Sequence, residues 1–395
     1  MTVNTAVAPG IAGVQCAGVD RPGVLIYAPH LLPLSQHYVR EHGLRLRRYR
    51  PFLAGRRRVQ GAPIDGVPSF TLEAGFAARV REFHFLLAGH DAGLAAFVRR
   101  NGIRLIHAHF GPGGTEIMRL AARLRIPLVV TFHGWDLKTG AEVQARMSPY
   151  ELLYRRHLPR LLRQASEVIC VSQSWADRLL MFGCPPEKVH TNYLGVDSKF
   201  FDGVRSQFDP SAIMFVGRLV RRKGVHTLLE AVQLLRDRGV DAHLTVVGEG
   251  PELTNLQHTV AERNLSVRFL GKKTPAEIRE LLRQTSVLCA PSTDAGGMSE
   301  ALGLVLLEAQ AMSIPVVATR NGGIPETFED GRTGFLVDQD SPSALASALT
   351  RLLNNESLNR SFGPRARAVV CDRFDIDRCY RSLEDIYDRI EDRGW

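Results

Sequence analysis

Short apolar runs rich in Val, Ile and Leu alternate with longer stretches of helical period along nearly the whole chain, and no other feature limits its fold so tightly. Such runs, bounded by polar segments, read as strands covered on both faces. Parallel strands need crossover connections, and the amphipathic stretches between them supply these as helices. In the first half the rhythm predicts strands over 24–28, 103–108, 128–132 and 168–171, with helices over 115–124, 149–164 and 174–182. It lapses in a polar stretch, 197–211, and then restarts. Strands are predicted over 213–216, 242–247, 267–270, 287–290 and 316–318, and helices over 224–238, 251–263, 275–283 and 304–312. The reading is of two doubly wound α/β units, residues 1–197 and 198–374, whose ligands bind beyond the carboxyl ends of the strands in a cleft between them. The last segment, 375–395, places Ile376, Cys379, Tyr380, Leu383, Ile386, Tyr387 and Ile390 on one helical face behind Asp375 as N-cap, so a docking helix is expected.

Composition narrows the class. With 395 residues, 45% hydrophobic and 23% charged, the chain has the makeup of a soluble globular protein too long for one ordinary core. Six cysteines (Cys16, Cys170, Cys184, Cys289, Cys371 and Cys379) are scattered with no C-x-x-C pair, which suggests neither a disulfide framework nor a zinc site and fits a cytoplasmic location. The N-terminal stretch is a poor secretory signal, and no run approaches the roughly twenty apolar residues needed to span a bilayer, so membrane contact is expected to be peripheral. The formal charge of +9 divides into +11 for residues 1–197 and −2 for the remainder. Much of the excess lies in Arg45, Arg47, Arg48, Arg50, Arg56, Arg57 and Arg58, a run that is either a solvated face or a surface for an anionic partner.

Three constellations carry chemistry. In Ser299-Glu300-Ala301-Leu302-Gly303-Leu304-Val305-Leu306-Leu307-Glu308, Gly303 should end a loop and open a helix whose first N–H groups can bind a diphosphate. Glu300 could then reach sugar hydroxyls, and Glu308 could accept two hydrogen bonds from ribose; the plain alternative is a helix with two solvated acids. Gly217-Arg218-Leu219-Val220-Arg221-Arg222-Lys223-Gly224 leaves a strand through glycine and presents Arg218 and Lys223, a planar fork and a point charge able to neutralise a leaving diphosphate. All four cations could equally be surface charge. Thr131-Phe132-His133-Gly134-Trp135-Asp136 follows an apolar strand, which puts His133 and Asp136 at its carboxyl end, where an imidazole could contact a reacting sugar or be merely structural. His107 and His109 share a face of another strand; a metal pair lacks a third ligand, and His109 reads as an acceptor contact. The triplets Asp338-Gln339-Asp340 and Asp375-Ile376-Asp377 precede predicted helices and read as caps, so no metal is expected.

Together these motifs resemble the retaining glycosyltransferases of family 4, which have the GT-B fold of two Rossmann-like domains facing a cleft. The resemblance covers most of the chain and is most specific in the second half, through 217–224, Val247-Gly248-Glu249-Gly250-Pro251, Phe269-Leu270-Gly271, 300–308 and Gly322-Gly323-Ile324-Pro325-Glu326. It implies that Leu270 and Gly271 line a base pocket, that Gly217, Arg218 and Lys223 meet the diphosphate with Gly303, Leu304 and Val305, that Glu308 holds the ribose, and that Glu300 holds the transferred sugar. It also implies that His133, Arg218, Lys223 and Glu300 form the catalytic set, with His109, His133 and Asp136 toward the acceptor.

The first half resembles the capsule and exopolysaccharide branch through His107-Ala108-His109-Phe110-Gly111, Phe132-His133-Gly134-Trp135-Asp136-Leu137, Val171-Ser172 and Gly183-Cys184-Pro185-Pro186-Glu187-Lys188-Val189. Pro29-His30-Leu31-Leu32-Pro33-Leu34-Ser35-Gln36 stands where many relatives carry a Gly-Gly loop. The implied activity is transfer from a UDP- or GDP-linked sugar to a lipid-linked glycan at an anionic membrane surface, with no cofactor and no nucleic acid. A soluble small-molecule acceptor, a hydrolysing sugar-nucleotide epimerase and a non-catalytic nucleotide-sugar sensor are the alternatives. A phosphorylase is disfavoured, since no lysine is marked as a pyridoxal site.

Overall fold

The computed structural model describes residues 21–31, 37–59, 66–72, 78–137, 148–203, 208–294 and 297–394. Its first unit contains strands β1 (Gly23–Tyr27), β2 (His30–Leu31), β3 (Arg50–Gly55), β4 (Arg57–Arg58), β5 (Ser69–Thr71), β6 (Ile103–His109), β7 (Leu128–Phe132), β8 (Glu167–Cys170) and β9 (Val189–Thr191). Among the described residues the main sheet is parallel, in the order β5-β3-β1-β6-β7-β8-β9, while β2 and β4 pair separately. The second unit holds β10 (Ala212–Val216), β11 (His243–Val247), β12 (Val267–Phe269), β13 (Val287–Ala290), β14 (Val316–Thr319) and β15 (Gly334–Val337) in the parallel order β12-β11-β10-β13-β14-β15. Strand order reverses between β1 and β6 in one sheet and between β10 and β13 in the other. The loops leaving those four strands therefore flank the crevices where such sheets bind ligands.

The helices follow the apolar periodicity: α1 (His37–Arg45), α2 (Ala78–Ala88), α3 (Ala92–Arg100), α4 (Gly111–Leu124), α5 (Pro149–Gln164) and α6 (Gln173–Met181), then α7 (Val225–Asp237), α8 (Leu253–Glu262), α9 (Pro275–Arg283), α10 (Leu304–Ala311), α11 (Pro342–Leu353), α12 (Glu356–Arg373) and α13 (Ile376–Asp392). The sequence rhythm misses β2 to β5, β9, β15, α1 to α3, α11 and α12. β3 is Arg-Pro-Phe-Leu-Ala-Gly, a short apolar centre between breakers and arginines that does not stand out as a run. α4 starts four residues earlier than its predicted bound, across Gly111-Pro112-Gly113-Gly114. These glycines permit close helix packing: a Cβ at Gly111 would lie 2.2 Å from the Tyr154 hydroxyl, and one at Gly114 would lie 2.8 Å from Leu161 Cδ2, both on α5.

α13 leaves the second unit and packs on the first. Ile376, Tyr380, Leu383, Ile386, Tyr387 and Ile390 share one apolar cluster with Val24, Ile26, Leu105, Val129 and Ile169 of the first sheet. Burial of each such large side chain contributes about 1.5–3 kcal/mol relative to leaving it exposed, before chain entropy is counted. Asp375 caps α13 by accepting from the Arg378 N–H, and its other oxygen accepts from Ser198 Oγ at 2.7 Å. The second expected cap is corrected: Ser341 caps α11 by accepting from the Ala344 N–H, and Asp340 instead turns the chain with φ +52°.

The arginine run is also reassigned. Arg45 pairs with Glu41, Asp197 and Asp377, and Arg48 with Glu384, Asp385 and Asp388 of α13. Arg56 is buried against Glu82 and Glu116, and Arg57 also meets Glu82. These four side chains stitch elements of the fold together, so the run is not one unengaged surface, although Arg47, Arg48, Arg50, Arg57 and Arg58 still reach solvent.

Candidate active site

The loop after β10 is built for close backbone approach. Gly217 N–H donates to the Val247 carbonyl, and a Cβ on Gly248 (φ +136°) would fall 1.9 Å from the Gly217 carbonyl oxygen. Gly248 N–H donates to the Gly271 carbonyl at 2.8 Å, so Gly217, Gly248 and the Leu270-Gly271 pair share one end of the sheet. Gly224 (φ +67°) closes the loop where a Cβ would lie 1.8 Å from the Pro291 carbonyl oxygen, which draws Lys223 up to the loop after β13. There Lys223 Nζ donates to Glu300 Oε2 at 2.6 Å, with Ser292 Oγ at 3.3 Å and an Arg222 guanidinium nitrogen at 3.5 Å from the same oxygen. Burial pushes the Glu300 carboxyl upward, but Lys223, Arg222 and Ser292 outweigh it and hold the group below its ordinary value. Glu300 is thus an ionised carboxylate with its charge already balanced.

Gly303 (φ +88°) starts α10 without a side-chain cap, which leaves the first N–H groups, toward Leu304 and Val305, free of a competing side chain. Glu308 lies one turn into α10. Burial pushes its pKa up to about 7, and among the described residues its carboxylate has no hydrogen-bond or ion-pair partner. Arg218 is exposed on the β10 loop and makes no contact with Glu300 or Glu308.

The first-unit side is neutral. At the end of β6 and β7, His109 Nδ1 and His133 Nε2 share a hydrogen bond of 2.9 Å, with the rings stacked at 5.2 Å between centroids. Burial and the nearby His42 depress His133 to about 3, and burial with its neighbouring histidines pushes His107 and His109 well down, so all three are uncharged at neutral pH. Asp136 does not face solvent. Its Oδ2 accepts from the N–H groups of Gly111 and His133 at 3.0 and 3.3 Å, tying the two histidine loops together, and burial pushes its pKa up to about 6. Oδ2 of Asp136 is thus a loop clamp, and Oδ1 is buried without a hydrogen-bond partner among the described residues.

His42 from α1 supplies the third histidine that the sequence did not show. Ligand atoms of His42, His107 and His109 lie within 4.8 Å of one another. His107, however, already uses both ring nitrogens, on Tyr387 of α13 at 2.5 Å and on Thr131 at 2.7 Å, so the cluster serves as a hydrogen-bonded seam under the C-terminal helix.

The two sides touch at Gly134. An ideal Cβ there would be 3.1 Å from Ala301 Cβ and from the Trp175 ring, while Trp175 Nε1 donates to the Glu300 carbonyl at 3.1 Å. The loop bearing His133 is thereby set against the loop bearing Glu300. Gly322 and Gly323 fold beneath Glu300 and Ala301, where any side chain would collide with their carbonyls. From that turn Glu326 reaches the N-terminus of α6 and accepts from the Gln173 and Ser174 N–H groups at 2.7 and 2.8 Å. Trp175, Arg222, Ser292 and Glu326 are not among the sequence candidates: Arg222 and Glu326 lie in quoted motifs but gain their partners only through tertiary contact, and Trp175 and Ser292 lie outside those motifs.

Residues 24–200 match the family model described as Glycosyltransferase Family 4, and residues 198–369 match that of Glycosyl transferases group 1. WcaL of Salmonella typhimurium, named as a colanic acid biosynthesis glycosyltransferase, is 32% identical over 293 residues, covering 72% of this chain and 70% of that protein. The D-inositol 3-phosphate glycosyltransferase of Corynebacterium jeikeium is 37% identical over 333 residues, 78% of each chain. Among solved structures, Anabaena Alr3699/HepE in complex with UDP superposes with a TM-score of 0.75 at 20% identity, covering 93% of this chain and all of that one, a likeness of fold.

Proposed function

The chain belongs to the group 1, family 4 glycosyltransferases, and from that premise we propose that it transfers a sugar, with retention and without a metal, from a nucleoside diphosphate to a lipid-linked glycan in polysaccharide assembly. The observation that carries this reading is the ionised Lys223–Glu300 pair set across Gly134 from a neutral His133. The ammonium has two further protons to offer, and diphosphate oxygens can take them without breaking the pair. Arg218, exposed and without a partner among the described residues, can swing onto the same anion.

The bond from the anomeric carbon to the diphosphate oxygen breaks, and the acceptor oxygen bonds to that carbon on the same face. The acceptor proton passes to the departing phosphate oxygen. Cations on the leaving group make electrostatics the main contribution. A neutral His133 suits its place, since an imidazolium would oppose the positive charge that develops on the sugar. Glu308 would accept from the ribose hydroxyls, and Leu270 with Gly271 would border the base.

WcaL's name supports a polysaccharide acceptor, and the solved UDP complex of HepE supports a nucleotide donor. A soluble acceptor is the second reading, favoured by the name of the inositol phosphate relative. Incubating the protein with labelled UDP- and GDP-sugars, with and without lipid-linked acceptors, tests the assignment. Proton NMR should find the donor's anomeric configuration kept in the product, and activity should persist in a chelator. An inverted product, or loss on chelation restored by manganese, overturns the mechanism.

A further inference from the structure

α2 is inside out for a surface helix. Val80, Phe83 and Leu87, one helical stripe, are 72, 64 and 55% exposed, while its inner face presents Phe85 together with the charged Glu82. Glu82 meets Arg56, which meets Glu116 of α4; Glu116 in turn accepts from the Tyr150 hydroxyl at the start of α5. One turn further along α4, Arg119 donates to the Leu87 carbonyl and lies 3.2 Å from His157 Nε2 of α5. α2 and α5 therefore run side by side over α4.

On α5 the exposed positions begin with Leu152, 55% exposed, and Leu153, and continue with Arg156, Arg160 and Arg163. No acid follows Glu151 in this helix, and Glu151 is engaged in the capping box with Ser148. Among the described residues none of these three arginines has a carboxylate at ion-pair distance. An apolar stripe on α2 and a row of cations without a carboxylate partner among the described residues on α5 thus flank α4 on the first unit.

We propose that this α2–α5 face docks the enzyme on an anionic lipid bilayer, the apolar stripe entering the headgroup region and the arginines meeting lipid phosphates. Charge complementarity selects that occupant: an apolar protein partner would leave the cations unmatched, and a nucleic acid would leave the stripe exposed. The surface differs from the Arg45–Arg58 run, whose charges are largely engaged within the fold. The inference deepens the lipid-linked acceptor reading and rests on it for its purpose, but it can be tested without donor or acceptor.

Full-length protein is sedimented with phosphatidylcholine vesicles, and with vesicles that also contain phosphatidylglycerol, at low and high salt. Binding should need the anionic lipid and be released by salt. Val80→Ser with Phe83→Ser, and separately Arg156→Gln with Arg160→Gln and Arg163→Gln, should each lower binding at least about tenfold. Both should keep donor affinity and transfer to a water-soluble acceptor fragment. Equal partition to both vesicle types, or wild-type binding by the arginine variant, overturns the proposal. So does concentration-dependent dimerisation in analytical ultracentrifugation that the Val80/Phe83 variant abolishes. If that variant misfolds, the arginine variant decides alone. Failure of vesicle binding with transfer to a lipid-linked acceptor in detergent intact would reject the docking face and leave the acceptor reading standing.

Discussion

The two sides of the cleft solve opposite electrostatic problems. On the second unit Glu300 keeps its charge because Lys223 and Arg222 stand against it, and the pair remains polar enough to take on an anion. On the first unit four histidines are packed together, burial keeps those at 107, 109 and 133 uncharged, and the Asp136 carboxylate is turned onto backbone N–H groups. The proposed transfer, with a positive sugar in the middle, calls for a charged half toward the diphosphate and a neutral half toward the hydroxyls. The difference also shows how one fold used twice acquires two chemistries: strand ends are alike, and the residues just beyond them are not.

The sharpest way to break this comparison is to remove one member from each side. His133→Ala should lower turnover by at least about a hundredfold, the lower end for a catalytic group, while leaving calorimetric affinity for the nucleotide sugar within about twofold. Unchanged turnover would make the neutral side structural. Lys223→Ala should do the converse, weakening nucleotide-sugar binding about tenfold to a hundredfold through loss of a charge-assisted partner worth about 1.5–3 kcal/mol. If affinity is unaltered, the diphosphate does not lie at this pair.

A smaller effect comes from Glu308. Its raised pKa, about 7, means the carboxyl is largely protonated at pH 6 and largely ionised at pH 8. Ribose hydroxyls donate to the ionised form, so affinity should rise with pH, by about tenfold between pH 6 and pH 8, and level off above the pKa. Glu308→Gln should bind weakly at both values and show no slope. A nucleotide sugar is the right probe, because its diphosphate ester does not titrate in this range. A wild-type profile that is flat would remove Glu308 from the ribose.

Much of this arrangement was legible in the sequence for a physical reason. Strands buried on both faces must be apolar throughout, so β1, β6, β7, β8 and the central strands of the second sheet announce themselves, as does the apolar face of α13. Glycines fixed by a backbone collision, such as Gly224, or by a left-handed backbone, such as Gly303, mark the loops that carry Lys223 and Glu300. What stayed hidden is set by tertiary contact. The arginines between 45 and 58 look like one basic surface until α13 and α2 bring Asp385, Asp388 and Glu82 to them. The α2 stripe escaped notice because a helix whose outer face is the apolar one has no outward polar pattern to read. His42 and Tyr387 meet His107 from opposite ends of the chain, and no local spacing encodes that meeting.

The smallest expected effect concerns how the two sides are held in register. Glu326 belongs to the second unit, yet its carboxylate caps α6 of the first, accepting from Gln173 and Ser174 N–H groups and from the Tyr193 hydroxyl at 3.1 Å. Ser172, at the N-cap position, makes no side-chain cap of its own, so the charge at this helix terminus is supplied across the cleft. Glu326→Gln keeps one acceptor oxygen but loses the negative charge that favours a helix N-terminus, a change of about 0.5–1 kcal/mol. Because Gly134 and Ala301 touch beside this cap, a weaker cap should let the His133 loop drift from Glu300. Turnover should then fall about twofold to fivefold, the kinetic equivalent of that energy. Lys223, Glu300 and Glu308, the residues proposed to hold the donor, all lie within the second unit, so nucleotide-sugar affinity should stay within about twofold. If affinity falls in step with turnover, Glu326 acts on the donor pocket itself, and the division between a charged donor side and a neutral acceptor side has to be redrawn around it.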